Sequence, residues 1–180
     1  MNSKLSWGQD TAFSRTFNVY DNGRKIAVLG KIFSQKTTVE INGKEILFQP
    51  RDFSFNRKID IIDVLKRQVI GQIEGNSLFM TKSSIKIGHK LFAYKMNIWK
   101  NEAVVFDSTE LRIVYTPSLS SLATGQIEIN DKVDIDLILV ISGLYLMNDP
   151  FRILIVFRIF IGIFVVFLIA VFILWQIIPY

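Results

Sequence analysis

The sequence predicts a mainly β protein, an antiparallel β-barrel of about 10–12 strands around a central hydrophobic helix, followed by one transmembrane helix. Three observations lead to this fold class. Short apolar runs separated by turn residues fill the chain up to about Ile129. Residues 137–147 are apolar on almost every side but are too few to cross a bilayer. Residues 159–178 are apolar and numerous enough to cross one.

The start of the chain is predicted to be flexible over residues 1–14, and the barrel domain is predicted to occupy residues 15–149. The first residues contain no apolar core region, so we expect no signal peptide. Up to Pro150 polar and apolar residues are mixed, as in a domain that folds in water.

Two tight hairpins are predicted near the start of this domain. Asn22-Gly23 and Asn42-Gly43 each separate two apolar runs. Asn-Gly is the strongest local hairpin signal, because both central residues of the tight turn need a positive φ. The two segments share the pattern Asn-Gly-basic-x-Ile, which a true repeat and similar hairpin chemistry explain equally well.

Further short strands are predicted at similar spacing along the rest of the domain. The full series is 16–20, 25–32, 37–41, 44–48, 59–63, 69–74, 78–82, 84–87, 91–98, 103–107, 111–115 and 125–129. Such a series, without long helical periodicity, favours a barrel or a sandwich. Residues 63–67 are the one segment in it that fits a short helix.

A hydrophobic helix at about 135–147 closes the domain. Asp134 or Asp136 is well placed as its N-cap, because a negative charge is favoured at the N-terminus of a helix. Residues 148–150, Asn-Asp-Pro, end it. A helix that is apolar on every side must be buried on every side, and a closed barrel offers such a place. A re-entrant membrane arm is the alternative.

Residues 152–180 are predicted to be a C-terminal membrane anchor, with its helix at 159–178. About 20 residues at roughly 1.5 Å each span roughly 30 Å, the thickness of the hydrocarbon core. Arg158 is placed at the near interface and Trp175 and Tyr180 at the far one. No Lys or Arg follows, so we expect a single pass with the N-terminal domain cytoplasmic and the C-terminus across the membrane.

One pair of strands carries a family resemblance. Residues 59–63, Ile-Asp-Ile-Ile-Asp, are followed by 69–73, Val-Ile-Gly-Gln-Ile, and residues 28–32 are a looser match to the second segment. With the order of strands and then one apolar helix, residues 15–148 resemble the tubby C-terminal-like superfamily, which includes tubby proteins, plant LURP-one-related proteins and phospholipid scramblases. The resemblance implies a barrel around a helix and a lipid-proximal binding module. It implies no site residue, because the scramblases' calcium segment and tubby's phosphoinositide-binding residues find no match in this sequence.

The residues give little support to catalysis. The chain has no cysteine, which excludes disulfides and thiolate sites, and its single histidine, His89, is expected to be solvated in a hairpin turn. Asp131, Asp134 and Asp136 are better explained by helix capping than by calcium binding, since no bidentate Glu follows them. Nucleophile and phosphate-loop signatures are absent from the sequence. We therefore expect a non-enzymatic protein without a cofactor.

A basic bias in the middle hairpins suggests a binding surface. Phe92, Tyr94 and Trp99 are interleaved with these basic residues. The candidate contacts for anionic phospholipid headgroups are Lys82, Lys86, Lys90, Lys95, Lys100 and Arg152. An ordinary solvated sheet face is the competing interpretation, and a net charge of +5 is too small to favour nucleic acid as a partner.

Taken together, the sequence predicts a membrane-tethered binding module at the cytoplasmic membrane face, with lipid as the candidate ligand. The alternative is a structural or docking subunit of a larger assembly, with membrane proteins as partners.

Because the predicted anchor is C-terminal, it leaves the ribosome only when translation ends. We therefore expect the chain to insert into its membrane after translation. Membranes added to a cell-free reaction after synthesis should take up the intact chain. A strict requirement for membranes during synthesis would contradict this prediction.

Overall fold

Twelve antiparallel strands close into one barrel, and a single short helix accompanies them in the part of the chain that the structure describes. The structure is a computed structural model. It describes residues 2–10, 16–30, 36–51, 57–75, 81–97, 99–108, 110–118, 121–130 and 136–148, together with 164, 165 and 167. The predicted mainly β barrel is confirmed.

Each strand pairs with its neighbours in sequence, and the first strand pairs with the last. The strands are β1 Asn2–Gly8, β2 Phe17–Asp21, β3 Arg24–Leu29, β4 Thr37–Ile41, β5 Lys44–Pro50, β6 Lys58–Asp63, β7 Gln68–Gly75, β8 Lys82–Ile87, β9 Lys90–Asn97, β10 Glu102–Phe106, β11 Arg112–Ser118 and β12 Ser121–Asn130. Of the two strands predicted at 78–82 and 84–87, β8 covers the second and begins at Lys82; residues 76–80 lie outside the described residues.

Strand β1 corrects the prediction of a flexible N-terminus over residues 1–14. Leu5 and Trp7 point into the barrel and are buried, and Leu5 pairs with Ile127 of β12. β1 also pairs with β2 on its other side, so it closes the barrel. The alternation of Leu5, Ser6 and Trp7 was too short to predict a strand by itself. Residues 11–15 lie outside the described residues.

The two Asn-Gly hairpin predictions are confirmed. Asn22 and Asn42 have φ values of 48° and 49°, and Gly23 and Gly43 have φ values of 81° and 77°. Positive φ at both central residues is the conformation that a tight hairpin turn requires. These turns join β2 to β3 and β4 to β5.

The short helix suggested for residues 63–67 is wrong. The segment is a four-residue turn between β6 and β7, whose pairing extends to Asp63 and Gln68. The Lys66 N–H donates to the Asp63 carboxylate over 2.9 Å, and Arg67 has a φ of 52°. Strand pairing on both sides brings the ends of this segment together, which leaves no room for a helix.

Two bulged hairpins give the barrel a recurring construction. Ile26 in β3 and Ile70 in β7 are each left out of the strand register as an extra residue. The carbonyl of Ile26 accepts from the N–H of Asn42, and that of Ile70 accepts from the N–H of Gly88. In both cases the donor lies in the turn of the next hairpin. The same arrangement therefore occurs twice: the turn of one hairpin is hydrogen-bonded to the bulge of the hairpin before it.

The central helix, α1, runs over Leu137–Met147 and lies inside the barrel. Residues 139–147 are each no more than 8% exposed and belong to the same apolar core as the inward faces of the strands. This burial supports the barrel-core interpretation over a re-entrant arm. Asp136 is the N-cap, as predicted, and accepts from the Ile138 N–H over 2.9 Å; Asp134 lies outside the described residues.

Two tyrosines hold α1 against the wall. The Tyr115 hydroxyl of β11 donates to the Val140 carbonyl over 2.9 Å, and Tyr145 stacks on Phe48 of β5 with ring centroids 4.9 Å apart. Burial raises the pKa of Tyr115 well above its ordinary value, so its hydroxyl stays protonated and donates. Gly143 faces the Tyr115 ring, and a methyl group at this position would overlap the ring.

The barrel has two distinct ends. The turn end carries the turns that join β2–β3, β4–β5, β6–β7, β8–β9 and β10–β11, and the loop end is opposite. β12 finishes at the turn end, and Tyr145 near the end of α1 stacks on Phe48 near the loop end of β5. α1 therefore runs from the turn end to the loop end, and the chain leaves the barrel at the loop end.

The chain divides into two compact units, Met1–Asp149 and Pro150–Tyr180. In the second unit the structure describes Phe164, Val165 and Phe167, which are helical and exposed. Among the described residues, no helix combines the length and the apolar character that crossing a membrane requires. The transmembrane helix at 159–178 stays a prediction, and Arg152, Arg158, Trp175 and Tyr180 lie outside the described residues.

Gly143→Ala should lower the free energy of unfolding by about 1–3 kcal/mol, because the added methyl overpacks the Tyr115 ring. The measurement is urea unfolding of a 1–149 fragment, which contains every described residue of the core. In a Tyr115→Phe background the loss should be smaller, since the hydroxyl accounts for part of the overlap. Equal stability of Gly143→Ala and the parent would contradict this packing.

Candidate functional site

Two lysines face each other on the outer surface of β8 and β9. Lys82 lies directly opposite Lys95 in the strand register, and both side chains are exposed. Neither makes an ion pair with another described residue. The ammonium of Lys95 lies 5.1 Å from the centroid of the Phe106 ring, a cation–π contact. Like charges directly opposite each other destabilise a sheet, so this pair costs stability.

Three other cations of the described barrel are each paired with an acid. The ion pairs are Lys4–Glu128 at 3.0 Å, Lys58–Glu74 at 2.9 Å and Arg51–Asp60 at 2.6 Å. The hydrogen bond that Arg51 donates to the Asp60 carboxylate raises the pKa of the Arg51 guanidinium. Lys82 and Lys95 make no such pair with a described acid.

The turn between β9 and β10 presents Trp99 and Lys100. The Asn97 side chain accepts from the N–H of Trp99 over 3.1 Å and from the N–H of Lys100 over 3.2 Å. Asn101 completes the turn with a φ of 48°. Trp99 is 98% exposed, so a locally fixed backbone holds a large aromatic side chain in solvent.

A groove of about 440 Å³ lies beside this turn. It is lined by Thr81, Lys95, Met96, Asn97, Trp99, Glu102 and Val104. An ammonium group and a carboxylate on one groove suit a headgroup that carries both a phosphate and an amine. The aromatic ring adds a surface that favours the membrane interface.

The predicted set of five lysines is divided between the two ends of the barrel. Lys100 lies in the β9–β10 turn at the loop end, next to the end of β9 that holds Lys95 and the start of β8 that holds Lys82. Lys86 and Lys90 lie toward the turn end. Four residues separate Lys86 from Lys82, about 13 Å along the strand at roughly 3.3 Å per residue. The sixth predicted contact, Arg152, lies outside the described residues.

The aromatic residues interleaved with these lysines do not share one surface. Phe92 and Tyr94 point into the barrel and are buried, whereas Trp99 is exposed. Alternation explains the difference, because residues 92, 94 and 96 share the inner face of β9 while 91, 93 and 95 share the outer face. Of these three aromatic residues, Trp99 is therefore the one that is exposed together with the lysines.

Sequence reasoning missed a second group of exposed residues at the turn end. The β6–β7 turn contains Leu65, Lys66 and Arg67. Its hairpin is bonded to the β8–β9 turn, where the Gly88 N–H donates to the carbonyl of Ile70 in β7. The available signal was two apolar residues followed by two basic ones at 64–67. Only the strand pairing shows that the bulge at Ile70 of this hairpin lies beside the β8–β9 turn, which Lys86 and Lys90 flank.

The candidates for catalysis and metal binding are His89, which lies between Lys86 and Lys90 at the turn end, and the aspartates near the start of α1. His89 is exposed in the β8–β9 turn, as predicted. Asp136 caps α1, and Asp131 and Asp134 lie outside the described residues. Within the described ranges, no three His, Asp or Glu side chains are grouped so that they could hold a metal ion.

Comparison with known proteins gives no match: no family model, no curated protein and no solved structure matches this chain.

Lys82→Glu should raise the free energy of unfolding of the 1–149 fragment by about 0.2–1 kcal/mol, because it converts a like-charged pair into an opposite one. The gain should shrink in high salt, which screens exposed charges. Lys44→Glu is the control, since Lys44 lies opposite Ile41 and has no cation across the strand. Unchanged or lower stability of Lys82→Glu at low salt would contradict the repulsion.

Proposed function

We propose that this protein is a membrane-tethered, non-enzymatic β-barrel module that binds anionic phospholipid headgroups at the cytoplasmic face of a membrane. The observation that carries the proposal is the exposed, unpaired Lys82–Lys95 pair beside Trp99. An anionic headgroup would supply a counter-charge for these two lysines.

The energetics favour a lipid surface. A basic side chain near an anionic membrane contributes about 1 kcal/mol, so Lys82, Lys95 and Lys100 together contribute roughly 3 kcal/mol. Trp99, fully in contact with water in the free protein, would gain by moving to the interface. Neither of these two contributions needs an enclosed pocket. The groove is accordingly open and is lined mainly by β9, β10 and the turn between them.

The tether rests on the predicted anchor at 159–178. The helical state and the exposed apolar side chains of Phe164, Val165 and Phe167 support it. Arg152 and Arg158 before the apolar run favour a cytoplasmic barrel.

The tubby-like relationship is part of this proposal. A closed antiparallel barrel around one apolar helix is the architecture that the resemblance implies. It contributes the idea of a lipid-proximal barrel and no binding residue, since fold alone does not determine function.

A docking subunit of a larger membrane assembly is the alternative. Its distinguishing feature would be a broad exposed apolar patch free of charge. On the described barrel, the three most exposed large apolar side chains, Leu65, Leu91 and Trp99, each lie next to a lysine in sequence. This arrangement favours lipid over protein.

The 1–149 fragment should sediment with phosphatidylcholine vesicles that contain phosphatidylserine and not with phosphatidylcholine alone. Binding should weaken steeply as salt is raised, because the Debye length falls from about 10 Å at 0.1 M to about 3 Å at 1 M. Lys82→Gln/Lys95→Gln should weaken binding roughly 30-fold, from about 1 kcal/mol for each lysine.

Lys4→Gln/Lys25→Gln is the matched control, which removes the same charge from β1 and β3. An equal loss in both double variants would show a response to net charge and would reject the assigned surface. Absence of sedimentation at low ionic strength would reject the lipid-binding function.

A further inference from the structure

Exposed apolar side chains concentrate at one part of the turn end. Of the five exposed large apolar residues on the described barrel, four belong to the neighbouring hairpins β6–β7 and β8–β9. They are Val64, Leu65, Val69 and Leu91. Leu65 is 92% exposed, at the centre of the four-residue turn. Such a side chain contributes nothing to the core, so its exposure asks for another explanation.

The backbone of this turn is held firmly. The Val64 N–H donates to the Glu45 carbonyl of β5 over 3.2 Å, and the Lys66 N–H donates to the Asp63 carboxylate over 2.9 Å. These bonds fix both sides of Leu65. The turn therefore presents its apolar apex in a defined position.

Four exposed cations of these two hairpins lie at this end of the barrel, two of them directly after Leu65 in the turn. Lys66 and Arg67 follow Leu65 in the turn, and Lys86 and Lys90 lie on the adjacent hairpin. All four side chains are exposed, and none makes an ion pair with another described residue. The Gly88 N–H donates to the Ile70 carbonyl over 3.1 Å and keeps the two hairpins side by side.

We propose that the β6–β7 turn inserts Leu65 into the interfacial region of an anionic lipid bilayer, while Lys66, Arg67, Lys86 and Lys90 contact the headgroups. The inference rests on the proposed lipid-binding function. It assigns a second surface, at the opposite end of the barrel from Lys82, Lys95 and Trp99.

A bilayer fits this surface better than other anionic partners. A soluble phosphate would use the cations and would leave Leu65 in water. Protein interfaces are depleted of lysine, whereas Lys66 and Arg67 directly follow Leu65 in this turn. An interface with negative headgroups outside and apolar chains beneath matches both the charges and the protruding leucine.

The test uses the full chain reconstituted in vesicles, with a fluorophore on a single cysteine. The chain has no cysteine of its own, so Val64→Cys carries the label next to an intact Leu65. Ser108→Cys is the matched reporter, since Ser108 is exposed between β10 and β11 at the same end of the barrel. Brominated phosphatidylcholine in the vesicles quenches a label that reaches the acyl chains.

With phosphatidylserine present, the label at position 64 should be quenched and the label at position 108 should not. Leu65→Ser should lower the equilibrium constant for insertion of the turn about tenfold, because it removes most of the apolar contact of residue 65 with the bilayer. Lys66→Gln/Arg67→Gln should reduce quenching at low salt. Equal quenching at both positions, or no quenching at position 64, would overturn the insertion.

The two proposals fail separately. Quenching at position 64 that persists in a Lys82→Gln/Lys95→Gln background would show that this surface acts by itself. If quenching at position 64 is absent while the 1–149 fragment still sediments in a manner that depends on Lys82 and Lys95, the insertion is wrong and the proposed function stands.

Discussion

The enclosure of one apolar helix by a closed ring of strands is the constraint on which the rest of the structure depends. Twelve strands surround more space than their own inward side chains can fill, and α1 supplies the missing volume. The barrel wall in turn holds the helix in place through contacts at several positions. Tyr115 donates to Val140 at its middle, Gly143 gives the Tyr115 ring room, and Tyr145 stacks on Phe48. Neither part would be stable in water without the other.

Closure also decides where binding can occur. A closed barrel has no free strand edge, so a partner cannot add a strand to it. Ligands must meet the outer faces of the strands or the connections at the two ends. The unpaired lysines and the exposed Trp99 and Leu65 lie on such surfaces. The fixed register that builds the core is the same register that sets Lys82 opposite Lys95.

The exposed cations of the outer surface are of two kinds, paired and unpaired. Where cations are paired, as in Lys4 with Glu128, the protein provides its own counter-charge and the surface is complete in water. Where they are unpaired and adjoin exposed apolar groups, both the repulsion and the hydrated leucine or tryptophan are unfavourable in water. A lipid interface would relieve both at once, which is why we propose membrane contact for these surfaces and not for the paired faces.

The sequence by itself determined the features that depend on a few neighbouring residues. The Asn-Gly turns, the strand alternation, the Asp136 cap and the need to bury residues 137–147 follow from local backbone preferences and from side-chain hydrophobicity. Only the tertiary structure decided that β1 closes the barrel against β12, that Lys82 meets Lys95, and that the β6–β7 and β8–β9 turns lie together. These are pairings between distant segments or between strands whose register many weak contacts set jointly, so no short stretch of sequence specifies them.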